Sequence, residues 1–125
     1  MKKRYLSAVL LLTATIVHAA TAWYVPARGT PERKQALDAL RSHMRQFDAQ
    51  PQLFMVREVC LGKTFGWLSV EPQSPDGLSH YEPLNATLRR EGRGWKVEVL
   101  ACGEQDCPAG TEAAALRARV APRCR

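Results

Sequence analysis

Several signatures that would name an activity outright are missing from this chain. No Gly-x-Ser-x-Gly elbow is present to expose a serine nucleophile, and no Gly-rich loop ends in Lys-Ser/Thr to cradle phosphates. No Cys-x-x-Cys pair offers thioredoxin-like redox chemistry; the closest cysteines, Cys102 and Cys107, enclose Gly-Glu-Gln-Asp. Of the three histidines, His43 and His80 stand far from each other and from any close cysteine pair, which argues against zinc. Eight glycines and eight prolines in 125 residues are too few for a collagen-like or low-complexity chain. The apolar fraction of 46% is that of an ordinary folded protein, and no internal repeat is present.

The one mostly apolar run, near the start, is too short to cross a bilayer comfortably, which favours a cleaved leader over an uncleaved anchor. Lys2, Lys3 and Arg4 precede an uncharged stretch from Tyr5 to Val17, the pattern of a secretory signal peptide. Small residues permit cleavage after Ala19 or Ala22, and Ala22 is favoured, so residues 1–22 read as leader and 23–125 as one secreted α+β domain. The formal charge of +6 shrinks accordingly: the mature part holds fifteen bases against twelve acids, a net +3. That is ordinary for solubility and gives no reason to expect a nucleic-acid partner. Twelve of the fifteen mature bases are arginine, the better bidentate partner for carboxylate or phosphate.

Cys60, Cys102, Cys107 and Cys124 all fall in the mature part, and an even count in a small exported domain reads as two disulfides. Thr30-Pro31-Glu32 opens a helix, and Leu37, Leu40, Met44 and Phe47 carry its apolar stripe, so an amphipathic helix is expected over about 31–47, before Pro51. Leu53–Cys60 and Phe65–Val70 read as strands joined by a Gly62-Lys63-Thr64 turn. The span from Pro72 to Pro83 reads as a loop. Leu84, Ala86 and Leu88 alternate with polar residues, as do Trp95, Val97 and Val99, and the two runs flank Glu91-Gly92-Arg93-Gly94 as a hairpin. Thr111-Glu112 caps a short final helix ending near Val120. The expected architecture is an N-terminal amphipathic helix packed on a four-stranded antiparallel sheet in two layers, with a short C-terminal helix.

That order constrains the cysteines. In an up-and-down meander, Cys60 and Cys102 end the two opposite edge strands, more than about 20 Å apart, beyond the roughly 7 Å that a bridge allows between Cα atoms. A final helix running back across the sheet favours Cys60–Cys124 with Cys102–Cys107. A different strand order leaves the other two connectivities open.

Gly29-Thr30-Pro31-Glu32-Arg33-Lys34, Leu37-Asp38-Ala39-Leu40-Arg41 and Leu88-Arg89-Arg90 through Gly94-Trp95-Lys96-Val97 resemble small exported proteobacterial proteins. In these a Pro-Glu-Arg-Lys helix precedes a curved antiparallel sheet of cystatin-like or nuclear-transport-factor-like (NTF2-like) shape. The resemblance implies that fold and brings no catalytic residues.

Without a catalytic set, cofactor or metal to point to, the chain reads as a non-enzymatic binding protein, periplasmic or secreted, whose partner is a protein with an acidic surface. The expected binding residues are Asp76, His80 and Tyr81 in the Pro-rich loop and Arg89, Arg90 and Arg93 at the hairpin, since loops on a rigid scaffold carry recognition and Tyr and Arg are frequent anchors. Glu71 and Glu82 flank the loop and, facing each other, would suit glycoside hydrolysis. Arg117, Arg119, Arg123 and Arg125 invite a polyanion or membrane-surface reading, and a pocket between the long helix and the sheet would invite a small ligand or enzyme.

Overall fold

A computed structural model describes residues 23–47, 50, 52–122 and 124; residues 1–22, expected to be a leader, and Pro51, Arg123 and Arg125 lie outside the described residues. The elements follow as α1 (Pro31–Arg45), β1 (Leu53–Leu61), β2 (Phe65–Gln73), β3 (Leu84–Glu91), β4 (Gly94–Leu100) and α2 (Ala113–Val120). Thr30 takes the extended N-cap conformation and Pro31 the first helical position. The Thr30 hydroxyl, however, donates back to the Ala27 carbonyl at 2.7 Å instead of capping a helical N–H. Helix α1 stops at Arg45, two residues short of the expected end, and the Phe47 ring is 67% exposed on the turn that follows. The apolar stripe therefore closes at Met44.

The sheet is a meander in the order β1-β2-β3-β4, antiparallel throughout. Gly92, at φ +58°, supplies the left-handed residue that the β3–β4 turn demands of a non-strained backbone. Register shifts fall between Val56 and Glu58 in β1, and opposite Thr87 and Leu88 in β4, so Arg57 and Glu98 are extra residues on edge strands. Such bulges turn the residues beyond them to keep apolar side chains inward.

Each sheet face carries a helix. Val59, Leu61, Leu68, Val70, Ala86, Leu88, Trp95 and Val97 form one core with Ala36 and Leu40 of α1. Cys60 and Trp67, which alternate with those residues, form a second with Leu116, Val120, Ala121 and Cys124. The helices thus lie on opposite faces, giving three layers where two were expected. Strand β2 carries the reason: Trp67, Leu68 and Val70 are all buried, so a run apolar on both sides requires two lids.

Two cysteine pairs are at disulfide distance, Cys60 with Cys124 at 6.0 Å between Cα atoms and Cys102 with Cys107 at 5.7 Å. Strands β1 and β4 form the opposite edges, which is the geometry that keeps Cys60 from Cys102. Among the described residues no helix is long and apolar enough to cross a membrane.

Candidate binding surface

The loop after β2 is shaped by its own side chains. The Ser74 hydroxyl donates to Asp76 Oδ1 at 2.5 Å, and the Leu78 N–H donates to the same oxygen at 3.0 Å. These bonds, the hydroxyl's first, hold the Asp76 carboxyl below its ordinary range. Gly77, at φ +74°, completes the turn, and the Ser79 N–H donates to Ser74 Oγ at 2.9 Å. Asp76 is therefore occupied in setting the loop's shape. Beyond it the chain folds back on β2: His80 bridges Gln73, and the Tyr81 N–H donates to the Pro72 carbonyl at 2.9 Å, leaving the Tyr81 ring 45% exposed.

The hairpin arginines occupy a different place. Arg89 lies on the α2 side of the sheet, with Nη1 at 3.5 Å from Glu98 Oε1 and its guanidinium 5.9 Å from the Phe65 ring centroid. Arg90, one residue on, points to the α1 side and stacks 4.0 Å above the Trp95 ring. Arg93 is exposed on the turn itself. Loop and hairpin sit at opposite ends of β3, roughly 20 Å or more apart at about 3.3 Å per residue. The six residues singled out from the sequence thus form two separate surfaces, and the arginines are split between faces.

What the fold does gather is a group centred on Glu71. Arg57 donates to Glu71 Oε2 from Nη2 at 2.5 Å and from Nε at 3.1 Å, and His80 Nδ1 stands 3.7 Å from Glu71 Oε1. Hydrogen bonding from Arg57 is the main cause holding the Glu71 carboxyl below its ordinary range. Glu71 is therefore a fixed anion at neutral pH, a poor proton donor for glycoside chemistry. Glu82 is directed elsewhere, its carboxylate lying beside Gly103 in the segment after β4.

Around this charged group lie exposed apolar side chains. Leu53 and Met55 of β1 are 54% and 52% exposed, Leu78 of the loop stands out in solvent, and the Gln73 amide contacts the Met55 sulfur. Cross-strand pairing of Leu53 with Gln73, and of Gln73 with His80, makes these neighbours. They are uncovered because α2, only eight residues long, reaches the Cys60–Trp67 end of that face and no further. Sequence reasoning found His80 and Tyr81 but missed Leu53, Met55 and Arg57. The signal was the alternation of these three with Phe54 and Val56, which marks a wet face once the register is known.

The interface of α1 with the sheet is filled at its centre by Leu40, Leu68 and Leu88, all fully buried. Two shallow recesses lie at its β1 edge, where Arg33 of α1 meets the strand. One of 190 Å³ is lined by Val25, Arg33, Cys124 and β1 from Val56 to Cys60, and one of 380 Å³ by Arg28, Arg33 and Phe54–Val56. Among the described residues no group of three His, Cys, Asp or Glu could hold a metal ion. No protein-family model matches this chain, and neither a curated protein nor a solved structure matches it.

Proposed function

We propose that this chain is a small exported, non-enzymatic protein-binding module, acting in the periplasm or as a secreted protein in the manner of an inhibitor, an immunity protein or an envelope accessory factor. The observation that carries the reading is the uncovered half of the α2-side face, where Leu53, Met55, Leu78 and Tyr81 are exposed around the ordered Arg57–Glu71–His80 group. Exposed apolar side chains rimmed by charges are the surface chemistry of protein recognition. A filled α1–sheet core favours it over a small-ligand role. Cysteine pairs at disulfide distance suit an oxidising compartment.

The test is affinity capture from periplasmic extract and culture medium at low and high salt, comparing the wild type with a Leu53→Asp/Met55→Asp variant. A stoichiometric partner that survives high salt and falls at least tenfold with the variant supports the reading. Capture at low salt only would turn the search to polyanions. Replacing Arg89, Arg90 and Arg93 by Ala tests the hairpin separately, and unchanged capture removes it from the binding surface.

A further inference from the structure

Strand β1 is an edge, and its outer side is only partly occupied. Tyr24 exchanges both backbone hydrogen bonds with Leu61 at 2.9 Å, so the entry segment begins a fifth antiparallel strand. Two residues later Pro26, which has no N–H, breaks off that pairing and the chain turns toward α1. The direction of the remaining β1 groups follows from the register. Arg90 donates to the Thr64 carbonyl, which by alternation turns Gly66, Leu68 and Val70 toward β3 and leaves Trp67, Ser69, Glu71 and Gln73 to β1. Their partners Cys60, Glu58, Met55 and Leu53 bond inward, so Phe54, Val56 and Val59 present N–H and C=O outward. Among the described residues no backbone group meets them.

A trough runs beside this open edge, formed by the two recesses that share Arg33 and Val56. Val25, Phe54 and Val56 give it apolar walls, and Arg28 and Arg33 its charge. Arg33 is steadied by donating to the Pro26 carbonyl at 3.2 Å, which uses one of its five N–H donors. Among the described residues no acid pairs with Arg28 or Arg33, whereas nearby Arg57 and Glu58 are already paired, with Glu71 and Arg117. The trough is thus a cationic groove against open strand groups.

We infer that the β1 edge from Phe54 to Val59 accepts an extended acidic peptide segment of a partner protein by strand addition, its backbone pairing with Phe54 and Val56 and a carboxylate seated between Arg28 and Arg33. The inference rests on the protein-binding reading and names the chemistry of the segment recognised. Alternate side chains of an added strand face the trough, so a valine-like and a glutamate-like residue two positions apart, on one face of the added strand, satisfy it. A second copy of this chain is a poorer occupant, because antiparallel β1–β1 pairing would bring Arg28 and Arg33 of both copies together.

The test uses the oxidised protein and a short fluorescent peptide in which valine and glutamate take turns at every second position, with threonine between them, so that both face the trough. Controls are the lysine counterpart of that peptide and an N-methylated version lacking alternate backbone N–H groups. Saturable binding of the acidic peptide, at least tenfold weaker after N-methylation and at least tenfold weaker to an Arg28→Glu/Arg33→Glu variant, is the expected result. Position 33 sits in the first turn of α1, where the helix dipole favours an anion, and Arg28 is exposed, so both charge reversals suit the fold; far-ultraviolet circular dichroism checks it. Absence of saturable binding, equal binding of acidic and lysine peptides, or indifference to N-methylation overturns the inference. So does a dimer by sedimentation that dissociates when the edge is blocked by Val56→Pro. If partner capture survives Arg28→Glu/Arg33→Glu but fails with Leu53→Asp/Met55→Asp, the module reading stands and the edge inference falls.

Discussion

The two faces of the sheet are held by different means. On one, the fifteen-residue helix α1 lays Ala36 and Leu40 over an all-apolar surface, and among the described residues no cysteine or buried ion pair takes part. On the other, α2 has eight residues and buries only Leu116 and Val120 from its own span. Its hold is supplemented from outside the apolar contact: the Cys60–Cys124 pair, and Arg117, which donates from Nε to both Glu58 oxygens at 2.9 and 3.1 Å and from Nη2 to the Cys124 carbonyl at 3.0 Å. Where a helix is long enough to fill a face, packing alone suffices; where it is short, covalent and ionic ties substitute, and part of the face remains available.

Breaking the α1 side should cost most. Leu40→Ala removes a fully buried side chain from a filled core, and an expected loss of about 2–5 kcal/mol, read by urea unfolding, would distinguish cavity formation from mere surface contact. On the α2 side the covalent tie comes next. Non-reducing peptide mapping should recover Cys60 joined to Cys124, and Cys60→Ser/Cys124→Ser should lower stability by about 2–4 kcal/mol and unfasten α2 while the α1 core persists. Recovery of Cys60 with Cys102 or Cys107 would overturn the opposite-edge geometry.

The ionic tie is the smallest and depends on pH. Hydrogen bonding from Arg117 is the main cause lowering the Glu58 carboxyl from its ordinary value of 4.5, with the Trp67 indole N–H contributing. Because the folded value lies below the unfolded one, this contribution is fully present above about pH 4.5 and is lost as pH falls through the lowered value. Both side chains are more than one-third exposed, so Glu58→Gln should cost no more than about 1 kcal/mol at neutral pH after solvent screening. Its unfolding midpoint should also change less between pH 6 and pH 3 than that of the wild type; an identical pH slope would remove Glu58 as a contributor.

The α1 face was readable because helix and strand periods were clean there: Leu37, Leu40 and Met44 on the helix, Leu84, Ala86 and Leu88 on the strand. The meander followed from short turns, and the cysteine pairing from which strands were edges. The second face was harder. Ala113, Leu116 and Val120 give too sparse a stripe to say which side α2 covers, and Trp67 beside Leu68 fits a strand buried on either side or on both. The bulge at Arg57 changes the parity of β1, so no pattern within that strand alone reveals that exposed Met55 and half-buried Glu71 share a row on the α2-side face. The loop could have been read further, since Ser74-Pro75-Asp76-Gly77 is a turn sequence whose Asp bonds its own backbone.

Cys124 lies 64 residues after its partner, and all four strands are complete in sequence before it. A chain made from its N-terminus onward can therefore pair β1 through β4 and seat α1 while Cys60 still carries a bare thiol on the opposite face. Of the remaining cysteines, Cys102 and Cys107 emerge before Cys124 and are separated by only five positions, so they can oxidise with each other first and leave Cys60 a single mate. Chain order thus permits Cys102 and Cys107 to close locally before Cys124 is available, an order that leaves each long-range thiol a single mate.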